Sequence, residues 1–308
     1  MKNILVTGGS GFVGSHLVSY LAKKKFNVTV IDIKKPKIKK IKFIKSNLSN
    51  FKKLKKITKN IDCVYHLAGV SDITKVKSIP IDTIKSNILF SSYLIEACRL
   101  NRVKRFIFSS SIYAHGNAGN LYTTSKIATE QIIKNFNLLY NLNYTILRYS
   151  TIYGPNNRGV DVISLFIKKA KKNKTIEVHG NGLQTRDFVY AKDIALASLL
   201  AMKKEYKNKV LTIGHNQKVK IIDLAKQIIK LTNSTSKIYK NKANERYDDF
   251  DLSKLKPLDK KKFLKYKFKY NLKSGIKDLL SNPNKILWDG KYPTLILEDN
   301  TRDKKTYI

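Results

Sequence analysis

The sequence predicts an α/β fold, a doubly wound parallel sheet joined to a smaller, interleaved α+β domain. Short runs rich in Val, Ile and Phe alternate with helical stretches over the first half of the chain, a pattern typical of parallel sheets. A glycine-rich turn at 8–14 separates the first run from the first helix. After Gly154 and Pro155 the alternation loosens, and short strands and helices mix. We therefore expect the later residues to form a second domain that shares the sheet.

The elements of the first domain follow from the spacing of its apolar residues. Leu17, Val18 and Leu21 recur at helical spacing, whereas β-branched residues run without a break in the strands. The strands are expected at Lys2–Thr7, Asn27–Ile31, Lys40–Ile44, Ile61–Leu67, Arg105–Phe108 and Tyr144–Arg148. The helices are expected at His16–Lys24, Asp82–Arg99 and Tyr122–Tyr140.

The second half of the chain predicts fewer and shorter elements. Helices are expected at Val162–Lys171, Asp193–Lys203 and Val219–Leu231, strands at Phe188–Tyr190 and Val210–Ile213, and a loop at Gly180–Arg186. We expect residues 1–152 to form the first domain, with 187–215 returning to it. Residues 153–186 and 216–280 form the second domain, and the tail at 281–308, which holds Trp288, has no assigned role.

The net charge of +39 is the unusual feature of the composition. Of 61 basic residues only 8 are arginine, so 53 are lysine, against 22 acidic residues. A/T-rich codons encode many Lys, Ile and Asn residues and few Gly and Pro residues. The composition therefore favours the interpretation that the lysines reflect codon usage and lie on solvent-exposed faces. A polyanion-binding surface is the alternative, because the tract 34–59 contains many lysines and no acid. That tract has no arginine and only two aromatic residues, so we disfavour nucleic acid as a partner.

Several classes of protein are disfavoured by simple counts. Two cysteines, Cys63 and Cys98, cannot form a disulfide framework, and neither lies in a CxxC pair, so we expect no structural metal site. The longest apolar run, near Ile194–Met202, is far shorter than the roughly 20 residues of a membrane span. The N-terminus meets Gly8 without the apolar stretch of a signal peptide, so we expect a cytoplasmic protein.

The glycine-rich turn predicts a site for a dinucleotide. Gly9, Gly11 and Gly14 match a G-x-G-x-x-G pattern, and Gly8 gives a close variant of it. Glycines permit a tight turn and close approach of the backbone to a pyrophosphate, and the following helix offers amide donors and a positive dipole. Asp32 follows the second strand, where an acid would bind the ribose hydroxyls of NAD and repel the 2′-phosphate of NADP. We therefore expect NAD, although Lys34 and Lys35 would soften that repulsion.

A second constellation lies after the fifth strand. Tyr122 and Lys126 are four residues apart and share one face of a helix, and Ser111 ends the strand before it. A phenol with a pKa near 10 is a poor base, but a neighbouring ammonium and a cationic nicotinamide ring would both lower that pKa. A serine hydroxyl could bridge the phenol and a substrate oxygen. A tyrosine and a lysine four residues apart occur often by chance in a chain with so many lysines and tyrosines. The pair is informative here because it opens the helix that follows the serines of the fifth strand, downstream of the glycine-rich turn.

The motifs together resemble the extended short-chain dehydrogenase/reductase family, in its nucleotide-sugar epimerase/dehydratase branch. The resemblance covers roughly Lys2 to Leu280 and rests on TGGSGFVG, YHLAG, FIFSSS, YTTSK, RYSTIYGP, GNGLQTRDFVYAKD and RYDDFDLSK. It implies a Rossmann fold that binds NAD, and a catalytic trio of Ser111, Tyr122 and Lys126. Besides Tyr122 and Lys126, it places the cofactor against Gly8, Gly11, Phe12, Val13, Gly14, Asp32, Asn47, Leu48, Leu67, Ala68, Gly69 and Asn87. It implies substrate contacts from Thr151, Arg186 and Arg246, with Arg186 on the diphosphate.

Some positions depart from the family pattern. Thr151 replaces the usual asparagine, Asn47 replaces an aspartate, and only ten residues separate Ser111 from Tyr122. In the sugar dehydratases an aspartate and a glutamate follow the catalytic hydroxyl, because that reaction also eliminates water. Here an ungapped alignment puts Ile112 and Tyr113 at those places, which argues against dehydration.

The resemblance leads us to expect an NAD-dependent nucleotide-sugar epimerase that works through a transient 4-keto sugar. A 4-keto-sugar reductase or sugar dehydrogenase is the alternative on the same site. A nucleic-acid-binding protein on a dehydrogenase scaffold is the alternative from another class, and binding of RNA at physiological salt without turnover would favour it.

The five histidines lack metal-ligand spacing and are interpreted as structural: His16, His66, His115, His179 and His215. Tyr113 and His115 could nevertheless line the mouth of the pocket.

A homodimer is expected by the same resemblance. Members of the family commonly dimerise through the two helices that flank the fifth strand. The apolar residues offered for that contact are Ile88, Leu89, Tyr93 and Leu94 on one helix and Ile132, Ile133 and Phe136 on the other.

Overall fold

The central sheet has seven parallel strands, as the alternating pattern predicts. The computed structural model of the chain describes residues 2–38, 41–116, 120–157, 161–241, 251, 258–284, 296–297 and 306–307. The sheet strands are β1 (Asn3–Thr7), β2 (Asn27–Asp32), β3 (Lys42–Lys45), β4 (Cys63–His66), β5 (Arg105–Ser111), β6 (Tyr144–Tyr149) and β11 (Lys209–Ile213). Their spatial order is β3-β2-β1-β4-β5-β6-β11, and every neighbouring pair is parallel. The predicted doubly wound fold is confirmed.

Helices cover both faces of this sheet. One face packs against α1 (Phe12–Lys23) and α8 (Ala191–Leu200), which contact each other. The other face packs against α2 (Phe51–Ile57), α5 (Phe90–Leu100) and α6 (Leu121–Tyr140). Because both faces are covered, the strand residues in the middle, such as Ile4, Leu5 and Val64, have no exposed surface.

The strand order reverses between β1 and β4, and this reversal opens a crevice at the carboxyl ends of the strands. Thr7, the last residue of β1, is in register with Ile31 of β2 and with His66 of β4. The loops that follow these strands therefore start from one edge of the sheet. In open α/β sheets, ligands bind at this edge where the order reverses.

Among the described residues, the smaller lobe contains three short strand pairs and three helices. The pairs are β7 (Thr151–Tyr153) with β10 (Phe188–Tyr190), β8 (Ile176–His179) with β13 (Ile238–Asn241), and β9 (Thr185–Arg186) with β12 (Val219–Lys220). The helices are α7 (Val162–Ala170), α9 (Ile221–Leu231) and α10 (Leu272–Ser281). Tyr153, Tyr190 and Ile276 lie in their shared core and are almost fully buried.

Several predicted boundaries are wrong. Helix α1 begins at Phe12 rather than His16, and β5 continues through the serines to Ser111. The expected loop at Gly180–Arg186 contains β9, whose antiparallel partner β12 takes Val219 and Lys220 out of the expected helix. That pairing joins segments far apart in sequence, so local spacing gave no sign of it.

The helix expected at Asp82–Arg99 is interrupted. It divides into α4 (Pro80–Ile84) and α5, joined by the π-helical turn Lys85–Leu89. The remaining elements are α3 (Ile73–Ser78), β14 (Ile296–Leu297), β15 (Thr306–Tyr307), with β14 antiparallel to β15, and 3₁₀ turns at Ile112–His115, Lys204–Tyr206 and Lys260–Lys262. Trp288 lies outside the described residues.

Two of the residues predicted to form the dimer contact belong instead to the hydrophobic core. Leu94 and Ile133 have no exposed surface and pack between the helices and the sheet. Each lies on the sheet-facing side of its helix, which an apolar residue count does not distinguish from the outer side. Within the part of the chain that the structure describes, no helix is long and apolar enough to cross a membrane.

Helix α10 makes a close contact that can be tested. A Cβ atom at Gly275 would overlap the hydroxyl of the buried Tyr153. Alanine is the better helix former by about 1 kcal/mol, so an uncovered helix would be stabilised by Gly275→Ala. We expect the opposite, a loss of about 1–3 kcal/mol in the free energy of unfolding, because the added methyl group overpacks the core. Denaturant unfolding with the exposed Lys273→Ala as control measures this, and a stabilised Gly275→Ala would contradict the contact.

Candidate active site

The glycine-rich turn connects β1 to α1 at the reversal of the strand order. Gly8 has φ +72°, a left-handed conformation that favours glycine, and its amide donates to the Ile31 carbonyl at 2.9 Å. A Cβ atom at Gly14 would overlap the carbonyl oxygen of Gly8, so only glycine lets the helix begin this close to the turn. Gly11 precedes α1 and has no side chain to cap it, which leaves the first-turn amides of Phe12 and Val13 for an anion. These features fit a dinucleotide pyrophosphate.

Asp32 lies at the carboxyl end of β2, and its orientation is fixed by the backbone. Its two carboxylate oxygens accept the amide of Ser10 at 2.9 Å and the amide of Lys34 at 3.1 Å. The carboxylate thus faces the glycine-rich turn, where the adenosine ribose of a dinucleotide would lie. Asn47 follows β3 on the exposed surface, and its Oδ1 accepts the amide and hydroxyl of Ser49 at 3.2 and 2.7 Å. Leu48 beside it is buried.

Asn87 connects the loop after β4 to the helix of the predicted trio. Leu67, Ala68 and Gly69 form that loop, where the Leu67 amide donates to the Thr7 carbonyl at 3.1 Å. The buried Asn87 side chain accepts the Val70 amide at 2.7 Å and donates to the Val70 carbonyl at 3.0 Å. It also donates to the Ser125 hydroxyl of α6 at 3.1 Å. The π-helical turn that holds Asn87 is the kind of irregularity found at functional sites.

Ser111, Tyr122 and Lys126 converge at the carboxyl end of β5. All three side chains are buried, with 7–9% exposure. Ser111 ends β5 and hydrogen-bonds Tyr122, which lies in the first turn of α6. The Lys126 ammonium donates to the Ser109 carbonyl at 2.7 Å and lies 5.7 Å from the centroid of the Tyr122 ring. Asn120 caps this helix by accepting the Thr123 amide at 3.0 Å, which fixes where the helix starts.

Burial shifts both titratable groups of the trio. It raises the pKa of Tyr122 to about 12, although the hydrogen bond from Ser111 acts in the lowering direction. It lowers the pKa of Lys126 to about 8, against the opposing effect of the Glu130 carboxylate. In the protein alone the pKa of Tyr122 is therefore raised overall, because burial disfavours the phenolate. The lowering by the ammonium together with a cationic nicotinamide ring stays a prediction for the complex with NAD.

The segment after Ser111 encloses the trio on one side. Ile112 is buried, and the Tyr113 ring meets the Tyr122 ring edge to face with centroids 6.2 Å apart. His115, at the end of this 3₁₀ turn, hydrogen-bonds Thr212 at 2.7 Å. Burial and the neighbouring Arg148 lower the pKa of His115 to about 4, so its ring is neutral near pH 7.

His66 lies beneath the crevice in a chain of hydrogen bonds. Its Nδ1 lies 2.7 Å from the Thr7 hydroxyl and its Nε2 lies 2.8 Å from the Ser91 hydroxyl. Burial, with a smaller effect from Lys126, lowers the pKa of His66 to about 3, which keeps the ring neutral. His16 contacts the Pro155 carbonyl through Nε2 at 2.9 Å. These contacts join structural elements.

The predicted substrate residues lie in or beside the smaller lobe. Arg186 is 8% exposed in β9, and its Nη1 donates to the Thr185 carbonyl at 3.0 Å. The amide and hydroxyl of Thr185 both donate to Asp251, each at 2.9 Å. Thr151 begins β7 and donates its amide to the Asp187 carbonyl at 2.9 Å. Arg246 lies outside the described residues.

A buried ion pair next to the trio was missed by the sequence analysis. The guanidinium of Arg148 binds both carboxylate oxygens of Glu130, at 2.9 and 2.6 Å. Glu130 follows Lys126 by four residues, so it lies on the same face of α6. That spacing could have placed Glu130 beside the trio, but it gave no sign of the bond to Arg148, which is 18 residues away. Within the described ranges, no group of three His, Cys, Asp or Glu side chains could hold a metal ion.

Comparisons with known proteins show which proteins are similar in sequence and fold. The model of the NAD-dependent epimerase/dehydratase family matches residues 4–214. A putative UDP-glucose 4-epimerase of Methanocaldococcus jannaschii is 32% identical over 244 residues, which cover 72% of this chain and 79% of that protein. Human dTDP-D-glucose 4,6-dehydratase is 30% identical over 76% of this chain and 75% of its own.

A solved structure agrees with these relatives. The UDP-glucose 4-epimerase of Thermotoga maritima, crystallised with UDP-glucose, superposes with a TM-score of 0.82 at 29% identity. The match covers 89% of this chain and 96% of that one. The chain therefore belongs to the NAD-dependent epimerase/dehydratase family, which confirms the predicted family and the predicted cofactor, NAD.

Proposed function

We propose that the protein is an NAD-dependent epimerase that inverts one carbon of a nucleotide-diphosphate sugar through a transient 4-keto sugar. The observation that carries the proposal is the convergence of Ser111, Tyr122 and Lys126 at the edge of the sheet that also carries the glycine-rich turn. The similarity to UDP-glucose 4-epimerases from two organisms supports the substrate class.

In this proposal the residues of the chain bind, orient and move one proton. Gly8, Gly14 and the first turn of α1 hold the cofactor pyrophosphate, and Asp32 holds its ribose. When bound, NAD would accept the hydride from the sugar carbon and give the same hydride back to the other face of the 4-keto carbon, and its positively charged ring would favour the Tyr122 phenolate. Tyr122 takes the proton of the sugar 4-hydroxyl, with the Ser111 hydroxyl bonded to the same oxygen, and later returns the proton to the 4-keto oxygen.

Lys126 has an electrostatic role in the same proposal. Its ammonium, anchored on the Ser109 carbonyl, would stabilise the Tyr122 phenolate while the proton is away. Because its pKa is about 8, the ammonium is mostly charged at neutral pH and loses its proton as the pH rises through that value. Arg186 would hold the diphosphate while the keto sugar turns.

Epimerisation is favoured over dehydration by the residues next to the trio. A dehydratase needs carboxyl groups to eliminate water after the hydride step. Ile112 and Tyr113 follow the catalytic hydroxyl instead, and neither carries a carboxyl group. Ile112 is buried, and Tyr113 packs on Tyr122, so both have structural contacts here.

The reaction is tested by incubating the protein and Tyr122→Phe with a panel of nucleotide sugars and separating the products. We expect the protein to form a 4-epimer and Tyr122→Phe to lose about 10²–10⁴-fold in turnover, the usual contribution of acid–base catalysis. Tyr140→Phe, which removes the phenol oxygen of a half-exposed tyrosine at the far end of α6, is the matched control. Near-normal turnover of Tyr122→Phe would contradict the mechanism. Net release of reduced cofactor would favour the dehydrogenase alternative, and net oxidation of added reduced cofactor by a keto sugar would favour the reductase alternative.

The position of Asp32 predicts cofactor selectivity. Two unit charges about 4 Å apart near a protein surface repel by about 4 kcal/mol, so the carboxylate should reject the 2′-phosphate of NADP. We expect preference for NAD, and a loss of at least about tenfold in that preference in Asp32→Ala, which corresponds to ~1.4 kcal/mol. Affinities for both cofactors measured by calorimetry would show this. A native preference for NADP would overturn the role of Asp32.

We also propose a homodimer formed through α5, α6 and the π-helical turn before α5. Leu89 is 42% exposed, and Ile88, Tyr93, Ile132 and Phe136 are partly exposed around it. We expect sedimentation to show a dimer at micromolar concentration and Leu89→Glu to weaken it, because the substitution buries a charge in the contact. Leu183→Glu, at a leucine of the smaller lobe that is 52% exposed, is the control and should stay dimeric. A monomeric native protein would contradict this proposal.

A further inference from the structure

A buried carboxylate lies directly behind the proposed catalytic trio. Glu130 is 1% exposed, and its Oε1 accepts the Ser110 hydroxyl at 2.5 Å and the Arg148 Nε at 2.9 Å. Its Oε2 accepts the Arg148 Nη2 at 2.6 Å. Both oxygens therefore have charge-assisted partners, in the two-pronged geometry that suits a guanidinium and a carboxylate.

Arg148 extends the network to the segment that follows the catalytic serine. Its Nη1 lies 3.1 Å from His115 Nδ1, and because a guanidinium only donates, this nitrogen accepts. The ring proton is then on Nε2, which donates to the Thr212 hydroxyl at 2.7 Å. One chain of hydrogen bonds thus connects α6, β6, the 3₁₀ turn at Ile112–His115 and β11.

The ends of this network adjoin each member of the trio. Ser110 immediately precedes Ser111 on β5, and His115 ends the turn that follows it. Glu130 lies one helical turn beyond Lys126, on the helix that also carries Tyr122. Any slide or rotation of α6 against β5 would have to break the bonds to Glu130.

A contribution to stability alone does not explain why the buried ion pair of Glu130 and Arg148 is present. Replacing a buried ion pair with apolar side chains of similar volume is often neutral or stabilising, because desolvation of the two charges is costly. A buried pair of fixed geometry is better suited to holding two elements in one register. The structure also contains a second, partly buried pair, Lys192 with Asp278 at 2.8 Å, which joins α8 to α10.

We propose that Glu130, held by Arg148 and Ser110, is a positioning residue that fixes α6 against β5 and places a carboxylate one helical turn from Lys126. This inference rests on the proposed function for its kinetic consequence. It has a structural consequence of its own, the titration of Lys126, which exists without any turnover.

The electrostatic part follows from the groups around each charge. Glu130 is faced by Lys126 on its own helix, by Ser110 on β5, by Arg148 and Tyr144 on β6, and by His115. Lys126 is in turn faced by the Ser109 carbonyl, the Phe108 and Tyr122 rings and the neutral His66. Among these groups the Glu130 carboxylate is the one that raises the pKa of Lys126 against burial.

The test compares Glu130→Gln with Asp278→Asn, which breaks the second, partly buried pair. Glu130→Gln keeps the shape of the side chain and removes its charge. We expect kcat for the nucleotide sugar that the unaltered protein epimerises to fall by about 10²-fold, because a small misplacement of catalytic groups has an effect of that size. We also expect the basic limb of the kcat–pH profile to move to lower pH, since Lys126 loses its proton more easily. Asp278→Asn should be destabilised without moving that limb.

A readout without turnover separates this inference from the proposed function. The pH dependence of acylation of Lys126, followed by mass spectrometry of its peptide in the folded protein, gives the titration of that amine. In Glu130→Gln this titration should move to lower pH, and in Asp278→Asn it should match the unaltered protein. If no nucleotide sugar is turned over but the titration moves, the proposed function fails and the electrostatic role of Glu130 stands.

Two results would overturn the inference. The first is a folded Glu130→Gln whose kcat and Lys126 titration equal those of the unaltered protein. If Glu130→Gln does not fold, Ser110→Ala decides, because it removes one donor to Glu130 and keeps every charge. We expect Ser110→Ala to lower kcat without moving the basic limb of the profile, and an unchanged kcat in this variant is the second overturning result.

Discussion

Parallel pairing of β1 with both β2 and β4 is the constraint on which the site depends. The register that sets Thr7 beside Ile31 and His66 ends the three strands at one edge. The glycine-rich turn, Asp32 and the loop at 67–69 all begin at that edge, and β5 delivers Ser111 to it. A slip of one residue would turn the side chains of a strand to the opposite face, so the buried strands fix this register strongly.

In the proposed catalytic trio, burial disfavours the charged forms of Tyr122 and Lys126 that the proposed reaction needs. Burial alone raises the pKa of Tyr122 and lowers the pKa of Lys126, which disfavours the phenolate–ammonium pair. The chain offsets part of this with a buried carboxylate at Glu130 and with the bond from Lys126 to the Ser109 carbonyl. The many lysines on the surface contribute little here, because salt screens exposed charges beyond about 8–10 Å.

Local signals in the sequence were enough for most of the fold and for the three residues, Ser111, Tyr122 and Lys126, that the structure brings together at the end of β5. The strand runs, the glycine-rich turn and the serines before Tyr122 each involve neighbours in the chain, so their spacing could be interpreted directly. The pairing of β9 with β12 and the contact of Glu130 with Arg148 join distant segments, and no local pattern specifies them. An apolar residue count also does not show which side of a helix faces the sheet. For this reason Leu94 and Ile133, which are buried against the sheet, were predicted to lie at the dimer contact. The direction of the Tyr122 pKa depends on burial, which the sequence does not state.

The most direct test of epimerisation follows the hydrogen on the reacting carbon. A nucleotide sugar that carries deuterium at C4 is incubated with the protein, and the 4-epimer is isolated and analysed by mass spectrometry and NMR. If the same hydride leaves and returns within one closed site, the epimer retains deuterium at C4. An epimer that has lost its deuterium, or a keto sugar released in place of any epimer, would contradict the account.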